Sequence, residues 1–120
     1  MTRNVEMIRS VKNVEMRDIV IYMNSEDFGH KTSLPCIYAY WEMKRYPKYF
    51  SVHNKIYIAA KGRVQGYVEC DEFNPDGSVE TLMWSSDTWM LFVNENIPCK
   101  PFRGFRYKWW TEEQERQSIK

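Results

Sequence analysis

Long apolar runs are missing from this 120-residue chain. No stretch approaches the roughly 18 to 20 residues that cross a bilayer, and the first residues show no apolar signal-peptide core with a small-residue cleavage site. The reading is a cytoplasmic protein with no membrane partner. Cysteine is scarce: Cys36, Cys70 and Cys99 are odd in number and widely spaced, which suits neither a disulfide framework nor the paired ligands of a zinc site and points to buried free thiols. The two histidines, His30 and His53, have no ligand spacing, and the five glycines form no phosphate-cradling loop. Metal centres, histidine-dependent triads and P-loop chemistry therefore find no support, and no cofactor or metal is expected.

Acid is absent from two long stretches. Residues 43–68 contain Lys44, Arg45, Lys48, Lys55, Lys61 and Arg63, and residues 96–111 contain Lys100, Arg103, Arg106 and Lys108. Together they hold ten of the 17 Lys and Arg and none of the 16 Asp and Glu, so a net charge of +1 conceals a basic part and an acidic remainder. More than half of the five Trp, eight Tyr and six Phe fall in the same two stretches, among them Tyr46, Tyr49, Phe50, Phe102, Phe105, Tyr107, Trp109 and Trp110. Cations interleaved with rings suit single-stranded or flipped-out nucleic acid, which needs charge opposite the phosphate and a flat surface for the base. The competing explanation is structural: aromatic rings fill the core of a small β-domain, and lysines protect its strand edges.

A hydrophobic fraction of 43% and a charged fraction of 28% describe one globular domain with one core. From Ile19 onward, short β-rich runs alternate with turn residues, placing strands near 19–23, 36–43, 55–60, 63–70, 79–84, 88–93 and 102–109. Lys61-Gly62 suits a tight hairpin and Asn74-Pro75-Asp76-Gly77 a second one. Val5, Ile8 and Val11 lie at helical spacing, so residues 1–16 read as an N-terminal helix or arm. A four-residue match, Asn4-Val5-Glu6-Met7 to Asn13-Val14-Glu15-Met16, is too short for a repeat unit. Glu26 to Thr32 reads as a solvated loop. Thr111-Glu112-Glu113-Gln114 fits a capping box, so residues 111–120 form a short C-terminal helix and tail behind a β-domain spanning 17–110.

The stretch Phe50-Ser51-Val52-His53-Asn54-Lys55-Ile56-Tyr57-Ile58-Ala59-Ala60-Lys61-Gly62-Arg63-Val64-Gln65-Gly66-Tyr67-Val68-Glu69 resembles the PUA-like superfamily, which includes the ASCH, EVE and YTH domains. There a polar turn introduces a strand, a hairpin follows, and the next strand carries a glycine and ends in glutamate; His53-Asn54 stands here in place of the usual Gly-Asp. Ile97-Pro98-Cys99-Lys100-Pro101-Phe102-Arg103-Gly104-Phe105 is similar to the proline-bearing segment before the closing strand of such domains. The resemblance implies a β-dominated α+β fold, a small partly open β-barrel of PUA-like type with short peripheral helices. It also implies nucleic-acid binding, and in the EVE and YTH branches a modified base held in an aromatic pocket.

On that footing the expected phosphate contacts are Lys44, Arg45, Lys48, Lys61, Arg63, Arg103, Arg106 and Lys108. The expected base pocket is Trp41, Trp84 and Trp89, with Ser85, Ser86 and Asp87 reading a base edge. Two other functions compete. An ASCH-type hydrolase acting on RNA or modified nucleosides would use Lys31, Thr32 and Glu69 as base, nucleophile and proton carrier, but the Glu-x-Arg that often follows the family lysine is replaced by Ser33-Leu34-Pro35-Cys36. The other alternative is a small accessory or phage factor that engages a protein partner through its aromatic surface. The expected partner is DNA, RNA or a nucleoside, with catalysis less favoured than binding.

Overall fold

The computed structural model describes residues 15–32, 38–75, 81–94 and 97–119. Within them the elements run β1 (Ile19–Tyr22), α1 (Ser25–Thr32), β2 (Tyr38–Trp41), β3 (Lys55–Ala60), β4 (Arg63–Phe73), β5 (Leu82–Ser85), β6 (Met90–Leu91), β7 (Phe105–Tyr107) and α2 (Glu112–Ile119), with a 3-10 turn at Ser86–Thr88. The strands form one sheet of order β2-β5-β4-β3-β1-β7, with β6 also on β4. β1 and β3 are parallel and the other pairs antiparallel, and the sheet curls into an open half-barrel. Residues 1–14 of the expected N-terminal helix or arm, the Asp76-Gly77 part of the expected turn and Cys36 fall outside the described residues.

Alternating side chains on the central strands feed two cores. Ile19 and Ile21 of β1 and Ile56 and Ile58 of β3 join Val68, Leu82 and Trp84 on one face. Val20, Tyr57 and Ala59 point the other way, onto Val64, Phe92, Ile97 and Trp110. Strands buried on both faces read as unbroken apolar runs, as Ile19-Val20-Ile21 and Ile56-Tyr57-Ile58-Ala59-Ala60 do. Each fully buried aliphatic side chain contributes roughly 1.5–3 kcal/mol to this arrangement.

The β3–β4 hairpin turns at Lys61 (φ 55°) and Gly62 (φ 85°), and two consecutive positive φ values give the strands their right-handed twist. The register then slips: Ile58 faces Gly66, but Ala59 faces Val64, leaving Gln65 as the extra residue of a β-bulge. The bulge sends Val64 to the face opposite Val68, so these two valines serve different cores. Gln65 is held there by its own amide, which donates to the Ala60 carbonyl at 2.6 Å. Beside it, Gly66 (φ 155°) lets β6 approach closely, because a Cβ there would lie 2.1 Å from the Met90 carbonyl oxygen.

Residues 25–32 are helical rather than a solvated loop. The Asn24 side chain caps the helix, accepting from the Asp27 amide at 2.7 Å, while Glu26 and Asp27 in its first turn and His30 and Lys31 in its last complement the backbone dipole. At the other end of the chain the capping box of α2 forms: the Thr111 amide donates to Gln114 Oε1 at 3.0 Å and the Gln114 amide donates to Thr111 Oγ1 at 3.2 Å. α2 is fastened by Glu115, whose Oε1 accepts from the Tyr57 hydroxyl at 2.7 Å and the Trp110 indole at 3.0 Å and pairs with Lys108 Nζ at 2.9 Å. Burial works against the carboxylate, but these donors outweigh it and hold the Glu115 pKa below its ordinary value. Burial, followed by the bond to Glu115, pushes the Tyr57 phenol far up.

Candidate nucleic-acid interface

The two acid-free stretches meet in space. The chain leaving β2 runs through Trp41-Glu42-Met43-Lys44-Arg45, the chain entering β7 runs through Phe102-Arg103-Gly104-Phe105, and these two segments, with Tyr22 at the end of β1, line a cleft of about 530 Å³. That volume is within the roughly 300–1,000 Å³ of small-molecule sites. β2 and β7 are the two ends of the strand order, so the cleft opens where the half-barrel fails to close. Gly104, at φ 77°, makes the turn that swings Phe102 and Phe105 to the same wall.

Three cations, Lys44, Arg45 and Arg103, and one carboxylate, Glu42, line this cleft among the rings of Tyr22, Trp41, Phe102 and Phe105. The guanidinium carbon of Arg45 lies 5.7 Å from the centre of the Phe105 ring, a contact that spans the two walls. Arg106, just outside, lies over Phe102 at 4.8 Å. A guanidinium resting on a ring keeps its in-plane N–H donors available, and the ring restricts the side chain before any ligand arrives. Phe102 is itself braced edge-on by Tyr22 at 6.0 Å between ring centres, and the Tyr22 hydroxyl accepts from the Gly62 amide at 2.9 Å.

The remaining residues expected to contact phosphate divide. Lys48 is exposed beside Tyr49, and Lys61 is exposed at the hairpin tip with Nζ 5.8 Å from the Phe28 ring. Arg63 and Lys108 face inward instead. Arg63 is half-buried and donates to the Phe92 carbonyl at 3.2 Å. The Lys108 side chain is 14% exposed and bound to Glu112 and Glu115 at 2.8 and 2.9 Å, bonds that outweigh burial and raise its pKa. Its charge is neutralised by two acids that lie just past the acid-free stretch.

The base pocket expected around Trp84 needs correction. Inward and outward positions alternate along β5, Trp84 takes an inward one, and at 0% exposed it belongs to the core and offers no face to a ligand. Trp89 is half-buried against the Phe28 ring at 5.8 Å. Neither lines the cleft, whereas Trp41 does. The Ser85 hydroxyl is turned to the Asp87 carboxylate, and the Ser86 side chain lies outside the described residues. Of the hydrolase set, Lys31 Nζ donates to the Tyr40 carbonyl at 2.7 Å and sits 4.4 Å from the Tyr40 ring, tying α1 to the rim of β2. Glu69 is exposed, opposite Lys55 on the β3–β4 ladder. The Thr32 side chain lies outside the described residues. Free Cys70 and Cys99 are buried, and burial pushes the Cys70 thiol up to about 12, so it stays protonated and unreactive.

Sequence reasoning missed Tyr22 and Glu42 as members of the site, and it named Phe102 and Phe105 only as part of the aromatic content. The signal for the two phenylalanines was present, since both flank Arg103 and Gly104 within one acid-free stretch. No family model, curated protein or solved structure matches the chain. Among the described residues no helix is long and apolar enough to cross a membrane.

Proposed function

We propose that the protein is a nucleic-acid-binding module that seats an unpaired base in the cleft between residues 41–45 and 102–105. The supporting observation is the meeting of parts of the two acid-free stretches on one opening, which sets Lys44, Arg45 and Arg103 among the rings of Trp41, Phe102 and Phe105. A strand laid along this rim would have cations for its phosphates and ring faces for one of its bases. The PUA-like resemblance agrees with this reading, and the positive φ of 75° at His53 is the backbone conformation that favours glycine, the residue those families carry there. We place the protein in the cytoplasm, where free Cys70 and Cys99 remain reduced.

Titration of fluorescein-labelled single-stranded DNA and RNA tests the proposal. Trp41→Leu and Phe102→Leu keep apolar volume but remove a flat face, so each should weaken binding about 5- to 150-fold, the equivalent of roughly 1–3 kcal/mol per stacked base. Two variants that bind as tightly as the wild-type chain would rule out stacking in this cleft.

A further inference from the structure

One side chain in the cleft is unsuited to a purely phosphate-binding groove. Glu42 lies on the same rim as Trp41, Lys44 and Arg45, is exposed, and makes no hydrogen bond or ion pair among the described residues. A carboxylate only accepts hydrogen bonds. Beside a polyanion it is repelled, unless the ligand brings donors to it.

We infer that the base seated in the cleft is guanine, with Glu42 as its specificity-determining contact, an inference that rests on the nucleic-acid reading above. Guanine is the base whose Watson–Crick edge places two donor groups side by side, N1–H and the N2 amine, matching the two oxygens of a carboxylate. Adenine and cytosine set a ring-nitrogen acceptor beside their amine, and uracil and thymine flank one N–H with two carbonyls, so each would turn an acceptor toward Glu42. Guanine's other edge carries the O6 and N7 acceptors, which arginine recognises in a bidentate manner. Arg45 and Arg103 are the arginines that line the same cleft. The lining of this cleft therefore holds an acceptor-only group for guanine's N1–H and N2 amine, guanidinium donors for its O6 and N7, and rings for its faces.

The test uses short oligothymidine strands carrying one central guanine, hypoxanthine, adenine or cytosine, titrated against the full chain and against Glu42→Gln at fixed low salt. The guanine strand should bind about 5- to 150-fold more tightly than the adenine strand, the discrimination expected of one bidentate base contact. Hypoxanthine, which keeps N1–H but lacks the amine, should fall between. In Glu42→Gln the guanine preference should collapse to within about 3-fold, while the adenine and cytosine strands bind at least as well as before, because a charge that repels phosphate is gone. Equal wild-type affinity for all four strands, or an undiminished guanine preference in Glu42→Gln, would overturn the guanine assignment and leave nucleic-acid binding standing. Failure of the wild-type chain to bind any strand would overturn both. The comparison of guanine with hypoxanthine in the wild-type chain does not depend on the variant's folding.

Discussion

Replacing Glu115 by glutamine should destabilise the protein by about 1.5–3 kcal/mol, since two or three hydrogen bonds to a carboxylate each weaken by about 1 kcal/mol when the acceptor becomes a neutral amide. Three donors converge on one oxygen of this 7%-exposed side chain: the Tyr57 hydroxyl, the Trp110 indole and the Lys108 ammonium. Glutamine keeps an acceptor oxygen for the three donors but removes the charge, so Lys108 is left with Glu112, which is largely exposed, as its counter-charge. Glu115→Ala should cost more, about 3–5 kcal/mol, because it leaves a buried hydroxyl, an indole N–H and half of a buried ion pair without their acceptor. Urea unfolding followed by tryptophan fluorescence reads both, since Trp110 is one of the donors. The pH dependence has a defined sign. The folded-state pKa of Glu115 is depressed, so its contribution is complete above the ordinary carboxylate value of 4.5 and is lost as pH falls through the folded value. The Lys108 pKa is raised, so its contribution is complete below 10.5 and is lost only at higher, alkaline pH. Glu115→Gln should therefore flatten the acid limb of the stability profile. A variant within about 0.5 kcal/mol of wild type, as expected for an ordinary surface substitution, with an unchanged acid limb, would refute the view that this carboxylate fastens α2 to the sheet.

Gly66→Ala should cost about 1–3 kcal/mol in the same urea assay, because the new Cβ would collide with the Met90 carbonyl and β6 must retreat; wild-type stability would show that β6 does not sit so close. Trp84→Ala should cost about 3–5 kcal/mol as a buried large-to-small change. Its folded fraction should still bind oligonucleotide normally, and a loss of binding at undiminished stability would return Trp84 to the site.

The strands were legible because β-branched and aromatic runs stand between turn residues: the β3–β4 hairpin follows from Lys-Gly between two apolar runs, and its boundary at Ala60 agrees with the structure. α1 was not legible as a helix, since Ser25, Asp27 and Gly29 are turn formers; the decisive contact is the short-range cap from Asn24. Val64 belongs to the apolar pattern after the hairpin, but the face it takes depends on a bulge that no sequence period reveals. Proximity to Ser85-Ser86-Asp87 suggests an open rim at Trp84, whereas strand alternation points its side chain into the core. Charge segregation located the two walls of the cleft. It overcounted the cations, because Arg63 and Lys108 find their partners through tertiary folding and at the start of the next helix.

The salt dependence of single-strand binding, compared between the wild-type chain and a variant with Lys44, Arg45, Arg103 and Arg106 all changed to glutamine, decides whether these cations hold phosphate. Each phosphate contact contributes about 0.7 to the slope of log affinity against log salt for a single strand. Wild-type binding should be measurable, and its slope should fall by about 2 to 3 in the variant, as three or four contacts are lost, with affinity reduced for every sequence. Equal affinity and equal slope in the two proteins would contradict phosphate binding by these side chains.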